Sequence, residues 1–168
     1  MGVIVECERD NRLRTMATLK LCLKDAGGSA TPSAYLFQKR GRIDFARKEG
    51  IGVDEALEAA LEAGATDVEE DEGDEGGLVI WSEPGDTKAV GEAVASALGL
   101  EVEASEIVWC PNEETRVGLA GESAADELGN FVDDLQAKEM SVQAVAMNVA
   151  QGSVNDEAWR DLAGRLSA

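Results

Sequence analysis

Two clusters in the first 48 residues combine side chains that could hold an anion. The first is Asp10, Asn11, Arg12, Arg14 and Thr15, which follows the apolar run Val3-Ile4-Val5. Arginine beside a helix N-terminus opposes the helix macrodipole, so two of them there call for an external anion or a buried carboxylate. Capping by Asp10 or Asn11 and a solvated first turn is the competing account. The second cluster is Tyr35, Phe37, Gln38, Lys39, Arg40 and Arg42. Aromatics interleaved with cations on a β-hairpin can stack bases and contact phosphate. The alternative turns the aromatics into a core and the cations to water. Asn11, Arg12, Arg14, Lys39, Arg40 and Arg42 are thus the candidate nucleic-acid contacts.

Catalysis has little support. The chain has no histidine, which removes the commonest general base, nucleophile partner and metal ligand. Its three cysteines, Cys7, Cys22 and Cys110, form no CxxC pair and read as reduced structural thiols. Gly73, Gly76 and Gly77 do not lead a strand into a helix, so they form no phosphate loop. Most of the abundant carboxylates fall on solvent faces or in the 69–77 turn. Neither an enzymatic activity nor a cofactor or metal is expected.

The net charge of −19 is unevenly divided. Residues 1–48 hold ten Lys/Arg against five acids, whereas residues 49–168 hold five against twenty-nine. Binding to polyphosphate needs local positive potential, so the acidic bulk argues against free DNA as the main ligand while leaving a basic face on the opening segment. The bland reading is that these cations only solvate one helix and one hairpin. No apolar run approaches the roughly 18 residues of a membrane span.

The elements that must position these residues follow from periodicity. A strand is predicted over 2–8. A helix over 11–26 places Leu13, Met16, Leu19, Leu23 and Ala26 on one face, and Gly27-Gly28 stops it. Residues 34–37 and 42–45 read as two strands of a hairpin turning at Lys39-Arg40-Gly41. Asp54 caps a helix over 55–63 with Ala56, Leu57, Ala60 and Leu61 inward; strands at Val68 and 78–81 flank the acidic turn, Asp86 caps another helix, and 101–109 is a strand. A helix over 123–137, a strand through Val145, Met147 and Val149, and a short tail helix carrying Trp159, Leu162 and Leu166 complete the chain. The fold expected is α+β, with two ferredoxin-like α/β sandwich lobes of antiparallel sheets, one inserted into the other. Residues 1–49 plus 114–152 form the split lobe, 50–113 the inserted lobe, and 153–168 a helical tail.

Several stretches together resemble the YebC-like family of bacterial regulators and mitochondrial translational activators. They are Gly2-Val3 through Cys7, Asp10-Asn11-Arg12 with Arg14-Thr15, Gly27-Gly28, Ala34-Tyr35-Leu36-Phe37 with Lys39 and Gly41, Glu55 through Val68, and Val142 through Asn148. The resemblance spans about residues 2–150 and covers the second and third of the family's three domains. It implies a non-enzymatic translation factor acting on the ribosome or its RNA, ahead of DNA. It also implies a mitochondrial location, or otherwise a cytoplasmic one. Asn11, Arg12, Arg14, Lys39, Arg40 and Arg42 would then be the RNA contacts. The other readings are a DNA-binding transcriptional regulator and a protein-interaction scaffold that binds no nucleic acid.

Overall fold

Burial alternates along Phe37–Phe45, with Phe37, Gly41, Ile43 and Phe45 inward, the period-two signature of a strand with one covered face. This strand, β2, anchors one of two compact units in the computed structural model, which describes residues 1–8, 11–73 and 75–167. Arg9, the candidate cap Asp10, Asp74 of the acidic turn and Ala168 lie outside the described residues. The split unit comprises residues 1–38 and 109–168, and the continuous unit residues 39–108.

In the continuous unit, β2 is followed by α2 (Val53–Glu62), β3 (Asp67–Glu70), β4 (Leu78–Ser82), α3 (Thr87–Leu98) and β5 (Val102–Pro111). The sheet order is β3-β4-β2-β5, and β4 pairs antiparallel with both β2 and β3. Register places Ile43 opposite Ile80 and Phe45 opposite Leu78, while Val68 lies opposite Ile80. These side chains join Ala56, Ala60, Val90 and Val94 of the two helices in one apolar core. Small alanines on α2 let that helix lie close to the sheet.

The hairpin expected from 34–37 and 42–45 does not form. Ala34–Leu36 is a single 3-10 turn, and Lys39-Arg40-Gly41 lies within β2. Gly41 is there for close approach: a Cβ at this position would collide with Ser82 Oγ and Thr87 Oγ1. Glycine inside a strand marks such backbone contact as readily as it marks a turn. Helix starts differ as well. α2 begins at Val53, where the Glu55 carboxylate accepts the Gly52 N–H at 2.7 Å. At α3, Asp86 makes no side-chain cap; the Thr87 hydroxyl donates to Pro84 O instead.

In the split unit, β1 (Val3–Cys7) pairs antiparallel with β7 (Val142–Met147). Helices α1 (Arg12–Asp25), α4 (Glu122–Lys138) and α5 (Asp156–Ala163) accompany it, and β6 (Val117–Gly118) pairs parallel with β8 (Val149–Ala150). Its core gathers Cys22, Val132, Leu135, Val145, Met147 and Leu162, with Trp159 and Leu166 packed against it. Asn148 is buried and fully used: Oδ1 accepts the Gly2 N–H at 2.6 Å, and Nδ2 donates to Thr115 O at 2.8 Å. Arg165 ties α4 to α5 through Asp133 and Asp161.

The inward faces of α1 and α2 match the apolar spacing only in part: Leu19, Ala56 and Ala60 pack inward as it predicts. α1 buries Thr15 and Cys22, leaving Leu13 and Met16 exposed, and α2 buries Ala56 and Ala60 while Leu57 and Leu61 face out. Small residues permit closer helix packing than leucine does, and here closeness to the core decides the orientation.

Candidate nucleic-acid interface

The corner between β1 and α1 is built by Asn11. Its extended backbone ends the connection, and its side-chain oxygen accepts the Arg14 N–H at 3.0 Å, satisfying one of the helix's open donors. Of the two candidate caps, Asn11 performs this role. Asn11, Arg12 and Arg14 are all exposed, and the first turn of α1 has no acidic residue. Positive charge therefore accumulates at a helix end that already favours anions.

The second set lies on β2. Arg40 and Arg42 are two residues apart and share the face opposite Ile43 and Phe45. Both lean on Trp81: the Arg40 Cζ is 4.5 Å from the ring centroid, and the Arg42 Cζ 5.7 Å. The register explains this, since Arg42 pairs directly with Trp81 across the β2–β4 ladder. Arg40 also reaches Thr66 Oγ1 at 3.4 Å, and Arg42 Nε donates to Asp44 at 3.0 Å. Trp81 is only 7% exposed. Its indole is thus a platform for the guanidinium groups, and a base could stack there only if an arginine moved aside. Lys39 falls on the other side of the strand and is exposed. Beside Arg42, Glu69, Glu70, Asp71 and Glu72 rim a cleft of about 200 Å³, which lowers the local potential.

The structure thus groups Asn11 with Arg12 and Arg14 in the split unit, and Arg40 with Arg42 in the continuous unit. Tyr35 is exposed in its turn, whereas Phe37 is buried. Sequence reasoning missed Trp81 as part of the cationic strand. The strand Leu78–Trp81 is readable from its composition, but its pairing with Arg42 depends on a tertiary register. Asp44 was missed for a similar reason: its link to Arg42 needs a continuous strand.

Burial, then the nearby Asp134 carboxylate, pushes the Cys22 thiol up, away from the reactive thiolate. Among the described residues, no group of three or more His, Cys, Asp or Glu side chains is placed to hold a metal ion. No helix among them is long and apolar enough to cross a membrane.

Known proteins place this arrangement. A conserved hypothetical protein of Aquifex aeolicus superimposes with a TM-score of 0.70 at 28% identity, over 92% of this chain and 60% of that one. A "probable transcriptional regulatory protein" of Herminiimonas arsenicoxydans is 40% identical over 68% of this chain and 46% of its own length. One of the same description from Alcanivorax borkumensis is 35% identical over 94% of this chain and 62% of its own. The class is therefore that of α+β proteins whose curated relatives carry regulatory names. More narrowly, the profile described as TACO1/YebC second and third domain matches residues 1–149, and the chain belongs to that family. It spans about half to three-fifths of the length of these curated relatives, and both relatives are bacterial.

Proposed function

We propose that this chain is part of a non-enzymatic regulator of gene expression, of the transcriptional class for which its bacterial relatives are named. The observation that carries the reading is the match across most of the chain to proteins named as transcriptional regulators. We place its nucleic-acid contacts at Asn11, Arg12 and Arg14, with Lys39, Arg40 and Arg42 as a second set. The exposed corner supports the first set most directly, because its arginines stand in a helix turn with no acid. The bacterial sources of the relatives favour a cytoplasmic setting over the mitochondrial one.

A ribosomal or RNA-directed role is the second reading, and one observation favours it. The order β3-β4-β2-β5 within a βαββαβ chain corresponds to a ferredoxin-like sheet. Arg40, Arg42 and Trp81 lie on its two middle strands, opposite the helix-covered face. Single-stranded RNA is commonly held on such a face by aromatic and arginine side chains.

A gel-shift series separates the readings. Duplex DNA, ribosomal RNA and a protein-only arm using RNase- and DNase-treated extract are compared over a range of salt. Retention of duplex DNA that weakens after Arg12→Glu supports the regulator. Preference for RNA, lost after Arg40→Glu, supports the second reading. Partners that persist without any nucleic acid would leave only a protein-binding scaffold.

A further inference from the structure

Helices α1 and α2 each leave a face uncovered, and the two faces are opposite in charge and alike in spacing. On α1, Leu13 is 83% and Leu21 56% exposed, at four-residue steps on either side of exposed Ala17. Two leucines flanking an alanine along an i±4 row form a ridge with a notch. Exposed Lys20 and Lys24 lie beside them, also four apart. On α2, Leu57 is 41% and Leu61 53% exposed, again one turn apart. Asp54, Glu58 and Glu62 border that pair, and α2 has no Lys or Arg. Isolated surface leucines need no explanation. Paired leucines at helical spacing, each pair bordered by one sign of charge, are a different matter. The inward sides of the helices are already occupied by Thr15 and Cys22 and by Ala56 and Ala60, so these leucines add nothing to their own unit's core.

We propose that α1 of one chain docks against α2 of a second copy, with a leucine of α2 entering the notch at Ala17 and Lys20 and Lys24 facing Glu58 and Glu62. Apolar burial supplies the attraction, and the charges select the partner face and orientation. The contact is heterologous, since a face of one kind meets a face of the other. The charge of −19 on each copy opposes association at low ionic strength. About 0.1 M salt, with a Debye length near 10 Å, screens that long-range repulsion and leaves the adjacent pairs in place.

The test is sedimentation velocity on the 168-residue chain from about 10 μM to about 1 mM, the range in which a weak dimer forms. The wild-type mass should rise toward a dimer. The double variants Lys20→Glu/Lys24→Glu and Glu58→Lys/Glu62→Lys should each associate at least about tenfold more weakly, with circular dichroism unchanged. Mixed in equal amounts, the two variants should dimerise again, because each then offers the other a complementary helix. A wild-type chain that stays monomeric throughout would overturn the proposal. So would a single variant that dimerises like wild type, or a mixture that regains nothing.

Discussion

The cationic corner of the split unit and the cationic strand of the continuous unit contain the same side chains in different states of engagement. At the corner, Arg12 and Arg14 stand exposed in a helix turn that has no acid. On β2, Arg40 and Arg42 are half-buried against Trp81, and Arg42 is held by Asp44. The corner costs its own helix a little stability. The strand uses its charge to close over an indole. Basic residues in a sequence are therefore not equivalent evidence for a ligand: what each already touches decides how much remains for a partner.

Five substitutions test that contrast. The largest effect is expected at Trp81. Trp81→Ala removes a large buried ring beneath both arginines and should cost about 3–5 kcal/mol in urea unfolding. Trp81→Phe should cost much less, because the buried indole Nε1 makes no hydrogen bond among the described residues. A small loss for the alanine variant would mean that the indole does not hold the two arginines. Next, Gly41→Val forces a side chain against Ser82 and Thr87 and should cost about 1–3 kcal/mol, read as a lower denaturation midpoint. At the corner the effects shrink. Asn11→Ala deletes the cap and should cost about 1 kcal/mol. Arg12→Glu should change sign: an acid in the first turn suits the macrodipole and adds about 0.5 kcal/mol. The same change should weaken nucleic-acid retention and make its salt slope shallower by about one. If Arg12→Glu destabilises the fold, the corner is structural and the contrast fails.

Much of the secondary structure was legible because its signals are local. The strand at Val3–Cys7, the helices that became α1, α3 and α4, and the strand leading to Cys110 all follow from spacing and composition. The orientation of α1 was not legible, since its spacing of leucines and methionine points to Leu13 and Met16, not to Thr15 and Cys22. Only the closeness of the core shows why the smaller residues turn inward. β2 was broken in two by reading Gly41 as a turn, although the missing side chain serves contact with Ser82 and Thr87. The cationic residues themselves were legible by type. Their division into a pair in the first turn of α1 and a pair held over Trp81 was not, because it depends on strands more than 35 residues apart meeting in one register.

The order β3-β4-β2-β5 leaves β3 and β5 as the outer strands of the four-stranded sheet, each with a border open to pairing. Asp67, Glu69 and Glu70 are exposed along β3, as are Glu103 and Glu106 on β5. An incoming extended segment would have to bring its backbone alongside a row of carboxylates, and like charges there repel further copies of the same border. The acidity of these two borders thus acts as a guard against fibrillar growth from the chain's own sheet.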